Sequence, residues 1–262
     1  MKKTALITGA CINTGVAIVE KFASEGYDIV FTGRNQDSVT AAEARYHAKF
    51  PAGNIKGYVL SSLTEEGLAD EQGVKALFEQ LDQDGVFIET LVLNAADQGL
   101  GQKIFENELS DFVQVLHTNV VWNYCLCEQA AKRMKAHSGG NIIFVNSNTA
   151  YRAIPDRIAY VTSKGGQLGL MRALTLDLGK YGIRVNAVLP GMIRTDRWEK
   201  NPEFYAKVPS KYTPIGDVAD GADIADAVYY FAAHARNTTG AELVVDGGNT
   251  VQLYPIISQQ EE

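Results

Sequence analysis

A tyrosine and a lysine four residues apart, with a serine shortly before them, are the side chains in this sequence best suited to moving a proton. On a helix, Tyr160 and Lys164 would lie on one face, one turn apart. A phenol has a pKa of about 10, and a fixed ammonium nearby favours the phenolate and lowers that pKa. Ser147 could hydrogen-bond a substrate oxygen beside the phenol. Tyrosine and lysine at this spacing also occur in ordinary helices, so the pair needs support from the rest of the chain.

The segments around these residues are predicted to place them at the end of a buried strand. Residues 142–145 form a short apolar run, typical of a strand covered on both faces of a parallel sheet, and Ser147 follows where that strand should end. A polar loop broken by Pro155 comes next. Asp156 is predicted to cap the helix that carries Tyr160 and Lys164. A strand end and a helix would thus deliver the three side chains to one place.

Strand and helix patterns alternate along the whole chain. Such alternation predicts an α/β fold, a Rossmann-like doubly wound parallel sheet flanked by helices, with residues 1–262 forming one domain. The predicted strands are 4–8, 27–32, 55–60, 90–93, 142–145, 183–189 and a closing strand and turn over 241–248. The predicted helices are 16–25, 38–50, one ending near 81, 111–136, one continuing through 165–180, and 222–235.

Two features near the start of the chain predict a nucleotide site. A strand, a tight turn containing Gly9 and Gly15, and a helix together make a phosphate site, because N–H groups at the helix start face the anion. A plain strand-to-helix turn remains the alternative. After the second strand, Gly33 stands where an acid would bind a ribose 2′-hydroxyl, and Arg34 is next, which favours a 2′-phosphate and hence NADP(H) over NAD(H). Arg34 could also be a solvated loop charge.

Bulk composition narrows the classes of partner. The chain has 262 residues, 46% of them apolar, enough to bury a substantial core. A net charge of −7 without a long basic run argues against nucleic acid and anionic membranes. No apolar run is long enough to span a membrane and no signal peptide is evident, so we expect a cytoplasmic protein. Cys11, Cys125 and Cys127 are interpreted as thiols in a reducing compartment, and we predict no metal site.

Several motifs occur in the order in which one enzyme family carries them. Ser147 followed by Tyr160-Val161-Thr162-Ser163-Lys164 resembles the active site of the classical short-chain dehydrogenase/reductase family. The segment from Thr8 to Gly15 resembles its T-G-x-x-x-G-x-G signature, with Asn13 for the middle glycine, a residue that also visits left-handed conformations. Residues 94–96 resemble N-A-G, with alanine last, and residues 190–195 resemble P-G-x-x-x-T. The resemblance covers roughly residues 3–249.

The resemblance implies a role for each matching residue. Lys164 would lower the pKa of Tyr160 and hold the nicotinamide ribose, and Asn119 would hold a water that links a proton relay to solvent, unless it is a structural asparagine. Ser62 stands where an aspartate usually meets the adenine, which leaves the contact to the Leu63 backbone. The Ile193 backbone and the Thr195 hydroxyl would meet the nicotinamide carboxamide. The implied catalytic residues are Asn119, Ser147, Tyr160 and Lys164. The implied cofactor-binding residues are Gly9, Cys11, Asn13, Thr14, Gly15, Arg34, Ser62, Leu63, Asn94, Ala95, Tyr160, Lys164, Pro190, Gly191, Ile193 and Thr195.

The substrate side of the site is predicted from loops. Residues 196–217 have poor periodicity and many aromatics, Trp198, Phe204, Tyr205 and Tyr212, which favours a lid. The side chains of Arg152 and Arg157, together with the Gln98 amide, could bind an anionic substrate. Alternatively, Arg157 could pair with Asp156 or face water, and Asp97 would repel an anion if it faced inward. The candidate substrate-binding residues are Gln98, Thr149, Arg152, Arg157 and Trp198.

Taken together, these features predict an NADP(H)-dependent oxidoreductase that interconverts a secondary alcohol and a ketone, with Tyr160 as general acid and base. The resemblance also implies a homo-oligomer, most often a tetramer. Two alternatives remain open. One is a nucleotide-sensing module that has lost catalysis, because a fold does not fix a function. The other is a hydroxysteroid or other bulky-ketone dehydrogenase with an apolar pocket under the aromatic lid.

Overall fold

A seven-stranded parallel sheet runs through the computed structural model, which describes residues 3–101, 103–137, 139–195, 198, 200–206 and 208–254. The strand order is β3-β2-β1-β4-β5-β6-β7, and each neighbouring pair is parallel. The strands are β1 Thr4–Ile7, β2 Asp28–Gly33, β3 Ile55–Val59, β4 Thr90–Leu93, β5 Gly140–Val145, β6 Ile183–Pro190 and β7 Glu242–Val245. This is the predicted Rossmann-like α/β fold.

Helices connect and cover the strands. They are α1 Asn13–Ser24, α2 Gln36–Lys49, α3 Glu71–Gln83, α4 Leu109–Leu116, α5 Trp122–Ala136, α6 Ile158–Leu178, α7 Pro202–Ala206, α8 Val208–Tyr212 and α9 Gly221–Ala233. Two short 3₁₀ turns, Asn148–Ala150 and Gly179–Tyr181, flank α6. In the described part of the chain, no helix is both long and apolar enough to cross a membrane.

The core is divided by the sheet because successive side chains of a strand point to opposite faces. In β1, Leu6 joins one cluster, with Phe78 of α3, Leu126 of α5 and Met171 of α6. Its neighbours Ala5 and Ile7 join the other cluster, which is packed under α1, α2 and α9. Helices therefore cover both faces, which explains why the strands read as continuous apolar runs rather than as alternating ones.

The predicted long helix over residues 111–136 is interrupted, which corrects the sequence-based assignment. It consists of α4 and α5 joined by a π-helical turn, His117–Val121, which contains Asn119. The Trp122 N–H donates to the His117 carbonyl five residues back. A π turn inserts one extra residue into a helix and is often found at functional sites. Here it lies where the chain passes the edge of the sheet that carries the predicted catalytic residues.

The start of α6 also differs from the prediction. Asp156 adopts a left-handed backbone conformation, φ 57°, and does not cap the helix. The residue at the N-cap position is Arg157, whose side chain makes no capping hydrogen bond. The predicted lid contains two short helices, α7 and α8, rather than only irregular chain. Asp196 and the side chain of Phe204 lie outside the described residues.

The strand order creates a crevice at one edge of the sheet. β1 lies between β2 and β4, so the connections leaving β1 and β4 depart in opposite directions. In doubly wound sheets, ligands bind at this switch point, beyond the carboxyl ends of the strands. The glycine turn after β1, the loop after β4 and Ser147 after β5 all belong to this edge.

Candidate active site

Ser147 lies just beyond β5 and is held by its own turn. Its Oγ accepts hydrogen bonds from the Thr149 N–H at 3.2 Å and the Thr149 hydroxyl at 2.9 Å. The Ser147 side chain lies close enough to the Tyr160 hydroxyl to lower the pKa of that phenol by a hydrogen-bonding interaction. The predicted pair therefore meets in the fold. Thr149, predicted as a substrate residue, is buried and uses its hydroxyl to orient Ser147.

The pKa of the Tyr160 phenol moves in the opposite sense to the one expected from sequence. Burial raises it, while the Ser147 hydrogen bond and the Arg157 charge oppose that rise. Desolvation disfavours the charged phenolate, and here it outweighs both opposing effects. At neutral pH the hydroxyl is therefore protonated, which suits a proton donor better than a proton acceptor.

Lys164 lies one helical turn beyond Tyr160 and is 1% exposed. Its Nζ donates to the Val145 carbonyl at 3.0 Å and to Gln167 Oε1 at 3.2 Å, and it lies 5.5 Å from the Tyr160 ring centroid. Burial lowers the pKa of this lysine to about 7. A lysine that is only partly charged stabilises a nearby phenolate less than a fully charged one does.

Asn119 is fully buried in the π turn, and its polar atoms are largely engaged. Its amide donates to the Asp97 carbonyl at 2.8 Å and to Ser163 Oγ at 2.9 Å, and its Oδ1 accepts from the Asp97 N–H. The backbone carbonyl of Asn119 accepts from Gln167 Nε2 at 2.7 Å and from Asn123 Nδ2 at 2.9 Å. These contacts occupy both lone pairs of the carbonyl. That Asn119 holds a relay water stays a prediction.

The start of α1 fits a dinucleotide phosphate. Ile12 occupies the N-cap position and supplies no side-chain hydrogen bond, whereas side chains cap α2, α3 and α9. The N–H groups of the first turn therefore lack a side-chain acceptor and can face an anion. Asn13 adopts φ 49°, the left-handed conformation that its type tolerates at a position where the family has glycine. Thr14 and Gly15 continue the first turn of the helix.

The loop after β4 holds the turn at Gly9 in place by hydrogen bonds and close packing. The Asn94 side chain donates to the carbonyls of Thr8 and Gly9, at 3.0 and 3.1 Å. Gly9 adopts φ 63°, and a Cβ built there would lie 2.9 Å from the Ala95 backbone. A side chain at position 9 would thus displace the loop. Of the two predicted cofactor residues in this loop, Asn94 holds the turn and Ala95 permits its close approach.

The predicted adenosine end combines exposed and half-buried groups. Arg34 is exposed directly after β2, and Cys11 packs against Gly33. Arg45 of α2, which sequence reasoning missed, donates from Nη2 to the Cys11 carbonyl at 3.1 Å. No local sequence signal links these two residues, since they are 34 positions apart.

The predicted adenine contacts after β3 are engaged within the protein. The Ser62 hydroxyl lies 3.2 Å from the Thr118 hydroxyl, and the Leu63 N–H donates to Ser61 Oγ at 3.2 Å. Both residues are half-buried at the carboxyl edge of the sheet. The Thr118 contact joins this loop to the π turn.

The loop after β6 lies where the nicotinamide carboxamide is expected. Pro190 ends β6, and a Cβ on Gly191 would come within 2.6 Å of Asp246 Cβ, so only glycine fits. Ile193 pairs with Ala219 in an isolated bridge, and the Thr195 backbone carbonyl accepts from the Trp198 N–H at 2.8 Å. These contacts connect the predicted carboxamide loop to the start of the lid.

The predicted substrate residues are brought together only in part. Arg157 Nη1 donates to the Gln98 carbonyl at 2.9 Å, which joins the loops before α4 and before α6. The predicted anion site uses the Gln98 side-chain amide, whereas this contact with Arg157 uses the Gln98 backbone carbonyl. Arg152 is exposed on the loop before α6, and Trp198 stacks on Tyr205 with ring centroids 4.6 Å apart.

A doubly wound sheet that carries a Ser-Tyr-Lys cluster and an uncapped helix start at its carboxyl edge defines a nucleotide-binding oxidoreductase class. A family model described as enoyl-(acyl carrier protein) reductase matches residues 9–250. The chain belongs to the short-chain dehydrogenase/reductase family of oxidoreductases, as its motifs predicted. This family binds a nicotinamide dinucleotide, and the uncapped N–H groups at the start of α1 fit the phosphates of that cofactor.

The relatives act on different substrates, according to their names. A 3α-hydroxysteroid dehydrogenase of Mediterraneibacter gnavus is 32% identical over 94% of this chain and 96% of its own. A human 3-oxoacyl-[acyl-carrier-protein] reductase is 31% identical over 95% and 98%. An NADP-dependent (R)-specific alcohol dehydrogenase of Lentilactobacillus kefiri is 30% identical over 95% and 97%.

Solved structures of similar proteins hold both forms of the cofactor. ElxO with NADP bound superposes with a TM-score of 0.85 at 27% identity and covers 96% of this chain and 100% of its own. NAD⁺-bound xylitol dehydrogenase superposes with a TM-score of 0.82 at 28% identity over 94% and 98%. The fold therefore accommodates either dinucleotide.

Proposed function

We propose that this chain is an NADP(H)-dependent oxidoreductase that interconverts a secondary alcohol and a ketone. The observation that carries the proposal is the cluster at the sheet edge that also carries the start of α1: Ser147 acts on the Tyr160 hydroxyl, and buried Lys164 lies 5.5 Å from the Tyr160 ring centroid. The cofactor would supply or accept the hydride. The protein supplies orientation and the proton.

The three side chains have distinct tasks in this proposal. Ser147, oriented by Thr149, hydrogen-bonds the carbonyl oxygen of the substrate. Tyr160 gives its proton to the oxygen that becomes the alcohol. Lys164 holds the ribose of the nucleotide through its remaining N–H and adds positive charge in its protonated form. Because burial keeps the phenol protonated at neutral pH, we infer that ketone reduction is the favoured direction there, with alcohol oxidation rising in alkali.

The choice of NADP(H) rests on Arg34. No acid stands at the end of β2, and an exposed guanidinium there can bind a 2′-phosphate with charge-assisted hydrogen bonds. The NADP-dependent alcohol dehydrogenase and ElxO with NADP support this choice, whereas xylitol dehydrogenase with NAD⁺ shows that the family is not uniform.

A bulky apolar ketone is the second candidate substrate. The hydroxysteroid dehydrogenase among the relatives supports it, as do exposed apolar side chains on the loop between Gln98 and α4, where Phe105 is 97% exposed. An anionic substrate that binds Arg157 is the competing possibility. Kinetics with matched acidic and neutral ketones separates the two.

The remaining expectations are proposals about the whole molecule. We propose one domain over residues 1–262 with a substrate lid over 196–217, no nucleic-acid or membrane partner, and a homotetramer in the cytoplasm. Free cysteines in the described residues fit a reducing compartment. On α6, Gly165 and Gly169 have open space where a Cβ would be, which permits close approach of a second copy.

The test is a screen of ketones with NADPH and of alcohols with NADP, following absorbance of the reduced cofactor. Tyr160→Phe should remove nearly all turnover and leave cofactor binding intact, because only the proton donor is lost. Tyr151→Phe is the matched control, since Tyr151 lies on the adjoining loop and its hydroxyl donates to Glu242 instead.

Two results would reject the proposal. Substantial turnover by Tyr160→Phe would remove the assigned role of the phenol. Tight NADPH binding by the wild type without turnover of any ketone would favour the nucleotide-sensing alternative.

A further inference from the structure

A buried glutamine one helical turn beyond Lys164 connects several parts of the site. Gln167 is 1% exposed, and its side chain makes three hydrogen bonds. Oε1 accepts from Lys164 Nζ at 3.2 Å and from Asn146 Nδ2 at 3.0 Å, and Nε2 donates to the Asn119 carbonyl at 2.7 Å. A buried amide with this many partners is under tight geometric constraint, since each lost contact leaves an unpaired polar group.

The same network reaches the residue next to Ser147. Asn146 Nδ2 donates to the Lys164 carbonyl as well as to Gln167, and Asn146 Oδ1 accepts from the Ser147 N–H at 2.7 Å. Gln167 thus joins the end of β5, the catalytic helix α6 and the π turn through a single side chain. The Lys164 ammonium has three hydrogens, and two are fixed by Val145 and Gln167. The direction of the third hydrogen follows from those two contacts.

The charge on Lys164 depends on few groups. Burial is what shifts its pKa, and in the described part of the chain no carboxylate offsets that cost. Tyr160 is the titratable group that faces it, and Arg157 acts on Tyr160 from the start of α6. A neutral acceptor that hydrogen-bonds the ammonium favours the charged form. Gln167 Oε1 is such an acceptor, and the Val145 carbonyl is the other.

We propose that Gln167 is a positioning residue that fixes Lys164 and sustains its protonated form by joining it to Asn119. The proposal rests on the proposed function only in taking Lys164 as part of a catalytic site.

Two substitutions separate this role from a purely structural one. Gln167→Met keeps a similar volume and removes both kinds of hydrogen bond, so the protonation midpoint of Lys164 should fall by about one pH unit. Gln167→Glu keeps an acceptor beside the ammonium and adds a negative charge, so the midpoint should rise. Loss of packing alone gives no reason for opposite shifts.

The measurement is a carbon-13 NMR titration of the lysine Cε signals, with the Lys164 signal assigned by its absence in Lys164→Arg. Gln129→Met is the matched control, because Gln129 is also buried on a helix but hydrogen-bonds Arg133 and Glu128. Its Lys164 midpoint should equal that of the wild type. An unchanged midpoint in both Gln167 variants, or shifts of one sign only, would overturn the proposal. If one variant does not fold, the other still decides: a fall in Gln167→Met or a rise in Gln167→Glu supports the proposal, and no shift or a shift of the other sign overturns it.

Turnover provides the second readout. In Gln167→Met the pH profile of turnover should change near neutrality, where the charge on Lys164 titrates, because a lower midpoint removes that charge from a larger part of the pH range. A wild type that turns over no ketone would reject the proposed function, while the NMR titration would still decide the role of Gln167. A lowered rate with an unchanged pH profile and an unchanged midpoint would assign Gln167 to packing alone.

Discussion

Replacing Lys164 by methionine should make the free energy of unfolding less dependent on pH. In the unfolded chain a lysine has a pKa of about 10.4, whereas burial lowers the pKa of Lys164 to about 7 in the folded protein. Between these values the unfolded state binds more protons, so wild-type stability rises with pH across this window. The cost of burying the charge is fully present below pH 7 and disappears above about pH 10.4.

The magnitude follows from that difference. Each pH unit in the window changes the free energy of unfolding by about 1.4 kcal/mol, so between pH 6 and pH 10 the wild type should gain roughly 4 kcal/mol from this group. Lys164→Met lacks the titrating group. It also removes the Lys164 hydrogen bonds to the Val145 carbonyl and to Gln167 Oε1, which Asn146 Nδ2 still contacts, and each lost bond costs about 0.5–1.5 kcal/mol at every pH. The absolute stabilities therefore matter less than the change of their difference with pH.

The assay is urea unfolding followed by tryptophan fluorescence at fixed protein concentration, at several values from pH 6 to pH 10. The difference between Lys164→Met and wild type should change by roughly 4 kcal/mol across the range, in favour of the wild type at high pH. Lys75→Met is the control. Lys75 is paired with Glu71 on an exposed helix face, and its raised pKa keeps it charged in this range, so its curve should run nearly parallel to the wild type. If the Lys164→Met curve is also parallel, Lys164 stays charged in the folded protein and the reasoning is wrong.

Three further predictions concern the proposed function. Arg34→Ala should weaken NADPH binding far more than NADH binding, by about 1.5–3 kcal/mol, in fluorescence titrations, and equal weakening of both would contradict the 2′-phosphate contact. Arg157→Gln should raise the KM of an acidic ketone at least about tenfold, or about 1.4 kcal/mol, with little change for a neutral ketone of similar size. If only neutral, bulky ketones are turned over, the anion hypothesis fails. Light scattering at micromolar concentration should give a tetramer mass, and a monomer mass would refute the proposed assembly.

Sequence patterns predicted the sheet and its order of elements because burial on both faces produces unmistakable apolar runs. The proximity of Ser147 to Tyr160 was predicted from a strand end, a helix and the motifs along the rest of the chain. The left-handed Asn13 followed from the one property that asparagine shares with glycine. These are local properties, and local properties can be read from single residues and their neighbours.

Features that depend on three-dimensional surroundings were missed or predicted wrongly. The π turn adds one residue to a helix, which shifts the phase of the apolar pattern by about 100° but keeps the period of 3.6 on either side, so periodicity alone predicted one continuous helix. The pKa of Tyr160 was expected to fall because spacing reveals the nearby lysine but not the burial that opposes its effect. Gln167 lies three residues after Lys164, a spacing that places both on one face, and this signal could have identified it. Arg45 offered no comparable signal.

The π turn at Asn119 makes chain length as important as residue identity in this part of the protein. Removing one residue from His117–Val121 would restore an ordinary helix, with regular hydrogen bonds and no extra residue. It would also rotate everything downstream by about 100° around the helix axis. Trp122 and Leu126, which are buried in the core, would then face elsewhere. The irregularity can therefore persist through many substitutions, because the deletion that would abolish it locally would misplace the whole of α5.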